Sequence, residues 1–119
     1  MSGNQDVLAL AERYLTLWND PDDAARRTLA EELFTDGGTY TDPNIEARGA
    51  EAIAAYIAAE RLKFGDLVFT IGQLISSHHG VALFTWELGP AGAGTPVATG
   101  FDTVFIEKDR LAGVYGFFA

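Results

Sequence analysis

The first third of the chain places its apolar residues at helical spacing. One broad apolar stripe runs along the first predicted helix, residues 5–19, and consists of Val7, Leu8, Ala11, Tyr14, Leu15 and Trp18. Asp20 can cap a second helix, and Pro21 suits its first position. This second helix is predicted to run to about residue 34, because Gly37 and Gly38 soon follow and favour a turn.

A short strand is predicted at residues 39–42, where Pro43 ends it. Side chains alternate along a strand, so Tyr40 and Asp42 share one face. Residues 44–48 are predicted to form a loop.

The remainder of the chain is predicted to contain one more helix and then only strands. The third helix follows Gly49 and runs to about residue 63. After Gly65 the apolar period changes from helical to two residues. This change predicts four strands, at residues 67–76, 79–88, 96–107 and 111–118.

Helices first and a run of strands later are typical of the α+β class, here as one domain over residues 1–119. We expect three N-terminal helices to pack on one face of a curved, mainly antiparallel sheet. The other face stays apolar through Val68, Leu83, Phe101 and Phe105. A homodimer formed through this outer face is therefore expected.

The composition excludes several classes of protein. Apolar residues make up 48% and charged residues 21%, as in folded globular proteins. No apolar run approaches the roughly 20 residues that span a bilayer. The net charge of −9 would repel nucleic acid and anionic membranes, so neither is expected as a partner. The chain has no cysteine, and residues 1–6 carry no basic or long apolar segment, so a cytoplasmic location is expected.

Asp42 and Asp102 are the acidic residues that exposure to solvent explains least. Asp102 lies in residues 98–106, which carry no other charge, and alternation can turn it inward with Gly100 and Val104. Burial raises the pKa of a carboxyl group, and a second carboxylate nearby raises one of the two further. One acid could then be ionised and the other protonated, as proton transfer at carbon requires.

Each of these candidates also has a purely structural interpretation. Asp42 could cap the turn at Pro43, and Asp102 could accept a hydrogen bond from Tyr14 or Trp18. Tyr14 lies on the inward stripe of the first helix, so it is either a core residue with a polar tip or a ligand contact. The residues alone leave both interpretations open.

A set of large apolar side chains is predicted to line a cavity for a flat, apolar molecule. These ligand-binding candidates are Trp18, Phe34, Tyr40, Ile53, Tyr56, Phe69, Trp86 and Phe117. His78 and His79 are the only histidines, and neighbours in an extended segment point to opposite faces, so no metal site is predicted. His79 is a candidate acid or base at the cavity mouth, with a surface role as the alternative. No cofactor is expected.

Five short motifs occur in a characteristic order: Tyr40-Thr41-Asp42-Pro43, Gly49-Ala50-Glu51-Ala52-Ile53, Phe84-Thr85-Trp86-Glu87-Leu88, Gly100-Phe101-Asp102 and Gly113-Val114-Tyr115-Gly116-Phe117-Phe118. In this order the chain resembles the SnoaL-like polyketide cyclase group of the nuclear transport factor 2-like superfamily, over nearly its whole length. The resemblance implies a cone-shaped α+β barrel with an apolar cavity between helices and sheet. It also implies dimerisation through the sheet.

The ketosteroid isomerases of the same superfamily carry a similar set of polar residues. That similarity implies Asp42 as the general base, with Tyr14 and Asp102 as donors to the oxyanion. The tyrosines that support the donors in those enzymes fall at Phe34 and Ile57, whose side chains have no hydrogen-bond donor.

Three functions are compatible with these residues. The first is a cofactor-independent isomerase or cyclase acting on an apolar, carbonyl-bearing substrate, with Asp42 removing a proton and Tyr14 and Asp102 holding the enolate oxygen. The second is a non-catalytic ligand-binding or accessory domain of the same fold. Epoxide hydrolysis ranks last, because it needs an arginine between two acids and no inward arginine is predicted.

Overall fold

Three helices and six strands make up the part of the chain that the computed structural model describes, residues 4–92 and 94–119. In chain order they are α1 (Asn4–Asn19), α2 (Asp23–Leu33), β1 (Phe34–Asp42), β2 (Ile45–Arg48), α3 (Ala50–Phe64), β3 (Val68–His78), β4 (Val81–Gly89), β5 (Ala98–Glu107) and β6 (Arg110–Phe118). The predicted single domain also includes residues 1–3 and 93, which lie outside the described residues.

All six strands belong to one sheet in the order β2-β1-β6-β5-β4-β3. Every neighbouring pair is antiparallel except β1 and β6, which are parallel. The sheet is curved and unclosed, with β2 and β3 at its two edges. The predicted α+β class, with three helices on a curved and mainly antiparallel sheet, is confirmed.

The structure corrects the prediction for the segment between α2 and α3. β1 begins at Phe34, directly after α2, and it bulges. Phe34 pairs with Leu111 of β6 and Thr39 pairs with Gly113. Between these two pairs β1 therefore has more residues than β6, which is the bulge. The bulge contains the glycines that the sequence presented as a turn. The predicted loop at residues 44–48 mostly forms β2, a second strand antiparallel to β1.

The start of α2 also differs from the prediction. Asp22 is the N-cap, and its Oδ1 accepts hydrogen bonds from the backbone amides of Ala24 and Ala25 at 2.9 and 3.2 Å. Asp20 instead accepts from the Asp22 amide at 2.8 Å and so shapes the turn before the helix. Pro21 therefore precedes the cap rather than occupying the first helical position.

Arg26 is a buried arginine that sequence patterning did not reveal, with only 1% of its surface exposed. Its guanidinium donates to the carbonyl oxygens of Leu17, at 2.8 Å, and Asp20, and it contacts the Asp23 carboxylate at 2.6 Å. These bonds satisfy carbonyl groups at the end of α1, where no helical partner remains. Arg26 joins α1 to α2 and does not line the sheet cavity, so it is not the arginine between two acids that epoxide hydrolysis needs.

The two faces of the sheet differ in what they bury. Along β5, Gly100, Asp102 and Val104 are buried beneath the helices, whereas Phe101 and Phe105 are exposed on the opposite face. The helices thus cover one face and leave aromatic side chains on the other. None of the helices in the described residues combines the length and apolar character needed to span a bilayer.

Candidate active site

A cavity of about 360 Å³ lies between the inner face of the sheet and the helices α1 and α3. Its α1 wall consists of Tyr14, Leu15 and Trp18. Its α3 wall consists of Tyr56, Glu60 and Phe64. Strand residues complete most of the lining, namely Tyr40, Asp42, Phe69, Trp86, Leu88, Asp102 and Gly116. The remaining lining residues are Val97, Ala98, Thr99, Phe118 and Ala119.

Asp42 is the last residue of β1, and three hydrogen bonds fix its carboxylate. The hydroxyls of Tyr40 and Tyr56 both donate to Oδ2, at 2.8 and 2.9 Å. The backbone amide of Asn44 donates to Oδ1 at 2.8 Å, because Pro43 turns the chain back over the carboxylate. Asp42 therefore borders the cavity and also caps the turn at Pro43.

Asp102 is buried in the middle of β5, with 4% of its surface exposed. Burial raises the pKa of its carboxyl group to about 7, and the negative charge of Asp42 adds to that increase. A hydrogen bond with the Trp86 side chain acts in the opposite direction. Near neutral pH, the protonated form of Asp102 is therefore well populated and can donate a hydrogen bond.

Tyr14 lies on the buried face of α1, and its hydroxyl oxygen accepts a hydrogen bond from Trp18 Nε1 at 2.9 Å. Burial and then the charge of Asp102 raise the pKa of Tyr14 well above its ordinary value, against the effect of the Trp18 hydrogen bond. The pKa values of Tyr40 and Tyr56 are also raised, first by burial. All three phenols therefore stay neutral and keep a proton to donate.

Gly116 of β6 lies between the two acids. A Cβ atom at this position would lie 3.1 Å from Asp102 Oδ1, 3.5 Å from the Tyr40 hydroxyl and 3.6 Å from Asp42 Cβ. All three side chains thus border one small volume above the glycine. The absence of a side chain at Gly116 leaves that volume open to the cavity.

Trp18 is the centre of the aromatic wall. Its ring centroid lies 5.3 Å from that of Phe69, 5.8 Å from Tyr40, 6.2 Å from Tyr56 and 6.3 Å from Phe64. The ring pairs are tilted or edge-to-face, which are the favourable arrangements for aromatic pairs. The wall is therefore a packed cluster that joins α1, α3, β1 and β3.

Asn19, at the end of α1, joins this wall to the sheet edge. Its side-chain amide donates to the Phe69 carbonyl oxygen at 2.9 Å, and its Oδ1 accepts from the Phe69 amide at 2.8 Å. Phe69 in turn packs edge-to-face on Trp86, with centroids 5.4 Å apart. One side chain thus fixes the start of β3 against the helix that carries Trp18.

Eight of the eleven predicted site residues line this cavity. They are Tyr14, Trp18, Tyr40, Asp42, Tyr56, Phe69, Trp86 and Asp102. Their placement does not test their roles in catalysis or ligand binding, which stay predictions.

The other three predicted lining residues lie elsewhere. Phe34 and Ile53 are fully buried in the core and are not in the cavity wall. Phe117 is 55% exposed on the outer face of the sheet, because strand alternation turns its neighbour Gly116 inward. Ile57 is also a fully buried core residue.

Two residues of the α3 wall were not assigned to the lining from the sequence. Phe64 and Glu60 line the cavity but are not among the predicted lining residues. Both follow Tyr56 at intervals of one helical turn, so the spacing of Tyr56, Glu60 and Phe64 is the signal that could have located them. Glu60 also forms an ion pair with Lys63 at 2.8 Å.

The histidines lie away from the cavity. His78 ends β3 and His79 lies in the turn before β4, and both are exposed. In the residues that the structure describes, no three acidic or histidine side chains are grouped closely enough to hold a metal ion.

Solved structures define the class of fold to which this arrangement belongs. A SnoaL-like family protein from Agrobacterium tumefaciens C58, described as a proposed isomerase, is 32% identical with a TM-score of 0.88, and the match covers 97% of this chain and 98% of that one. A proposed ketosteroid isomerase from Kribbella flavida is 15% identical with a TM-score of 0.69, over 97% and 78% of the two chains. A proposed polyketide cyclase from Sinorhizobium meliloti is 18% identical with a TM-score of 0.71, over 91% and 93%. The fold is the nuclear transport factor 2-like fold.

The family follows from the sequence match. The model of the SnoaL-like domain matches residues 11–114, and the chain belongs to this family. Among functionally curated proteins, none matches the chain.

Proposed function

We propose that this protein is a cofactor-independent isomerase or cyclase that transfers protons on a small, apolar, carbonyl-bearing substrate. One observation carries the proposal: Asp42, Asp102 and Tyr14 border a single aromatic-walled cavity of about 360 Å³. A base and two hydrogen-bond donors in an apolar enclosure are the groups that enolate chemistry requires.

Asp42 is the proposed base. Its carboxylate removes a proton from the carbon next to the carbonyl. The electron pair of that C–H bond forms a carbon–carbon double bond, and the π pair of the carbonyl moves to its oxygen, which gives an enolate. The hydroxyl of Tyr14 and the protonated carboxyl of Asp102 donate hydrogen bonds to this oxygen. Returning the proton from Asp42 to another carbon gives an isomer. Attack of the enolate carbon on a second carbonyl instead closes a ring, and the alkoxide formed at that carbonyl takes the proton from Asp42.

The hydrogen bonds of Asp42 favour Oδ1 as the atom that takes the proton. Oδ2 already accepts from Tyr40 and Tyr56, which occupy its two lone-pair directions. Oδ1 accepts only from the Asn44 amide among the contacts of the described residues. The two tyrosines then hold the plane of the carboxylate while Oδ1 reacts.

The relatives support this range of reactions. The structure from Agrobacterium tumefaciens is described as a proposed isomerase, and the more distant ones as a proposed ketosteroid isomerase and a proposed polyketide cyclase. An enolate is common to isomerisation and to this type of ring closure, so the shared step can be tested without knowing the natural substrate.

Exchange of hydrogen for deuterium next to a carbonyl measures the enolate step directly. Small cyclic and bicyclic ketones in D₂O are incubated with the protein, and loss of the proton signal is followed by NMR. The wild-type protein is expected to accelerate exchange, and Asp42→Asn to lose roughly 100- to 10,000-fold of that acceleration.

Asp66→Asn is the matched control, because Asp66 is an exposed acid beyond the end of α3. It should exchange like the wild-type protein. If Asp42→Asn keeps wild-type exchange on every ketone that the wild-type protein turns over, Asp42 is not the base.

A second candidate is a non-catalytic ligand-binding domain. It is favoured by the three donors on Asp42, since a carboxylate with so many partners inside the protein also serves as a structural group. Ketones that bind in the cavity without any accelerated exchange would support this candidate against the enzyme.

A further inference from the structure

Apart from the tyrosine hydroxyls, the ionisable groups that line the cavity are all carboxylic acids. Asp42, Glu60 and Asp102 lie in the wall, and no lysine, arginine or histidine among the described residues joins them there. The chain as a whole has 17 acidic and 8 basic residues. A ligand with a negative group would therefore enter a site without a counter-charge, inside a field that already repels it.

Most hydrogen-bond donors of the wall are already engaged. Trp18 donates to Tyr14, and both Tyr40 and Tyr56 donate to Asp42. Tyr14 accepts the Trp18 bond and so keeps its own proton for a ligand oxygen. Tyr14 and the protonated carboxyl of Asp102 can hold a carbonyl, but two donors do not replace the hydration of a carboxylate or phosphate.

Glu60 is the acid of the wall that the proposed chemistry does not use. Its side chain is 16% exposed and lies one helical turn from Tyr56. Lys63 Nζ approaches its carboxylate to 2.8 Å, but the lysine side chain is 70% exposed and is not part of the lining. Glu60 thus presents a partly compensated negative charge at the cavity.

We propose that Glu60, together with Asp42, makes the cavity an anion filter, so that its substrate is an uncharged or cationic carbonyl compound without carboxylate or phosphate. Positive groups escape this exclusion, because carboxylates attract them and the faces of Trp18, Tyr40 and Tyr56 favour cations. This inference deepens the proposed function and rests on it for the position of the reacting carbonyl.

Three probes on one ketone skeleton test the filter. The three probes are bicyclic aromatic ketones that carry a carboxamide, a carboxylate or an aminomethyl group at the same carbon. At pH 6 these groups are neutral, negative and positive. Binding is measured by isothermal titration calorimetry. The carboxylate is expected to bind at least about tenfold more weakly than the carboxamide, and the ammonium at least as well as the carboxamide.

Two results would overturn the filter. The first is a carboxylate probe that binds as tightly as the carboxamide. The second is an ammonium probe that is rejected as strongly as the carboxylate, because an apolar cavity that merely resists desolvation excludes both signs equally.

Variants of Glu60 and Lys63 assign the effect to the wall. Glu60→Gln should reduce the carboxamide-to-carboxylate affinity ratio by about threefold or more, and Lys63→Gln should increase it. Glu46→Gln removes the same charge from an exposed position on β2 that is not in the lining. If Glu46→Gln reduces the ratio as much as Glu60→Gln does, the selection comes from the net charge and the wall has no special role.

The outcomes separate this inference from the proposed function. Deuterium exchange on the carboxamide probe with no discrimination against the carboxylate would support the proposed enzyme and contradict the anion filter. Weaker binding of the carboxylate probe without deuterium exchange on any probe would support the anion filter and contradict the proposed enzyme.

Discussion

At the scale of single residues, the environment of Asp102 makes stability depend on pH. Its pKa is about 7 in the folded protein and about 4 in an unfolded chain. The folded state therefore holds the proton more tightly between these values. The stabilisation is fully present below about pH 4 and is lost as pH rises towards 7.

Asp102→Asn should remove this dependence, because the amide resembles the protonated acid and does not titrate. Between pH 5 and pH 8, the wild-type protein should lose about 2–3 kcal/mol of unfolding free energy that the variant keeps. Urea denaturation at the two pH values measures the difference. Equal pH dependence in both proteins would show that Asp102 does not carry the raised pKa.

Gly116→Ala tests the open volume between the acids. The added methyl group would lie 3.1 Å from Asp102 Oδ1, so it should reduce deuterium exchange at least about tenfold and lower stability by about 1–3 kcal/mol. Gly113→Ala is the control, because its methyl group would be equally crowded, 3.1 Å from the Tyr115 ring, but distant from both acids. Equal losses of exchange in the two variants would contradict a specific role for Gly116.

Strand alternation is enough to place Tyr40 and Asp42 on one face, and it also places Asp102 on the inner face of its strand. It does not place Phe117 correctly, because the position that faces the cavity is glycine and a glycine has no apolar side chain to mark it. The bond from Tyr56 to Asp42 depends on how α3 packs on β1, which local patterns do not encode.

At the scale of elements, the contact between α1 and β3 rests on Asn19. Asn19→Ala removes both hydrogen bonds to the Phe69 backbone and should cost about 1–3 kcal/mol. The Phe69 amide should lose protection from hydrogen exchange, as followed residue by residue by NMR. Gln73→Ala on the same strand should leave that amide protected, because Gln73 bonds through its backbone amide. Unchanged protection in Asn19→Ala would contradict this account.

Three helices and the four later strands could be predicted because each has a long run of periodic residues. β2 has only the four residues Ile45–Arg48, which is too short for its alternation to stand out. The bulge of β1 places glycines inside a strand, where they resemble a turn. The parallel pairing of β1 with β6 joins distant parts of the chain, and no local pattern predicts it.

At the scale of the whole molecule, we expect two copies to associate through the outer face of the sheet. Phe101 and Phe117 are paired across β5 and β6 on this face, and Phe105, further along β5 on the same face, packs on Tyr115. All three phenylalanines are exposed in the single chain. Burying them would compensate the mutual repulsion of two chains with a net charge of −9 each.

Analytical ultracentrifugation should give the mass of two 12.8 kDa chains. Phe117→Glu should give one chain, because it would place a carboxylate in the centre of the contact. Leu62→Glu makes a similar change on α3, where Leu62 is 87% exposed, and should leave the dimer intact. A wild-type protein that sediments as one chain at high concentration would rule out this contact.

The position of Trp18 and Trp86 has a spectroscopic consequence. They are the two tryptophans of the chain, both line the cavity, and each packs on Phe69. The indole emission of the whole protein therefore originates at the walls of its candidate site. Any occupant should alter the intensity or wavelength of that emission, so a chemical library can be screened for ligands by intrinsic fluorescence, with no label and whatever the reaction is.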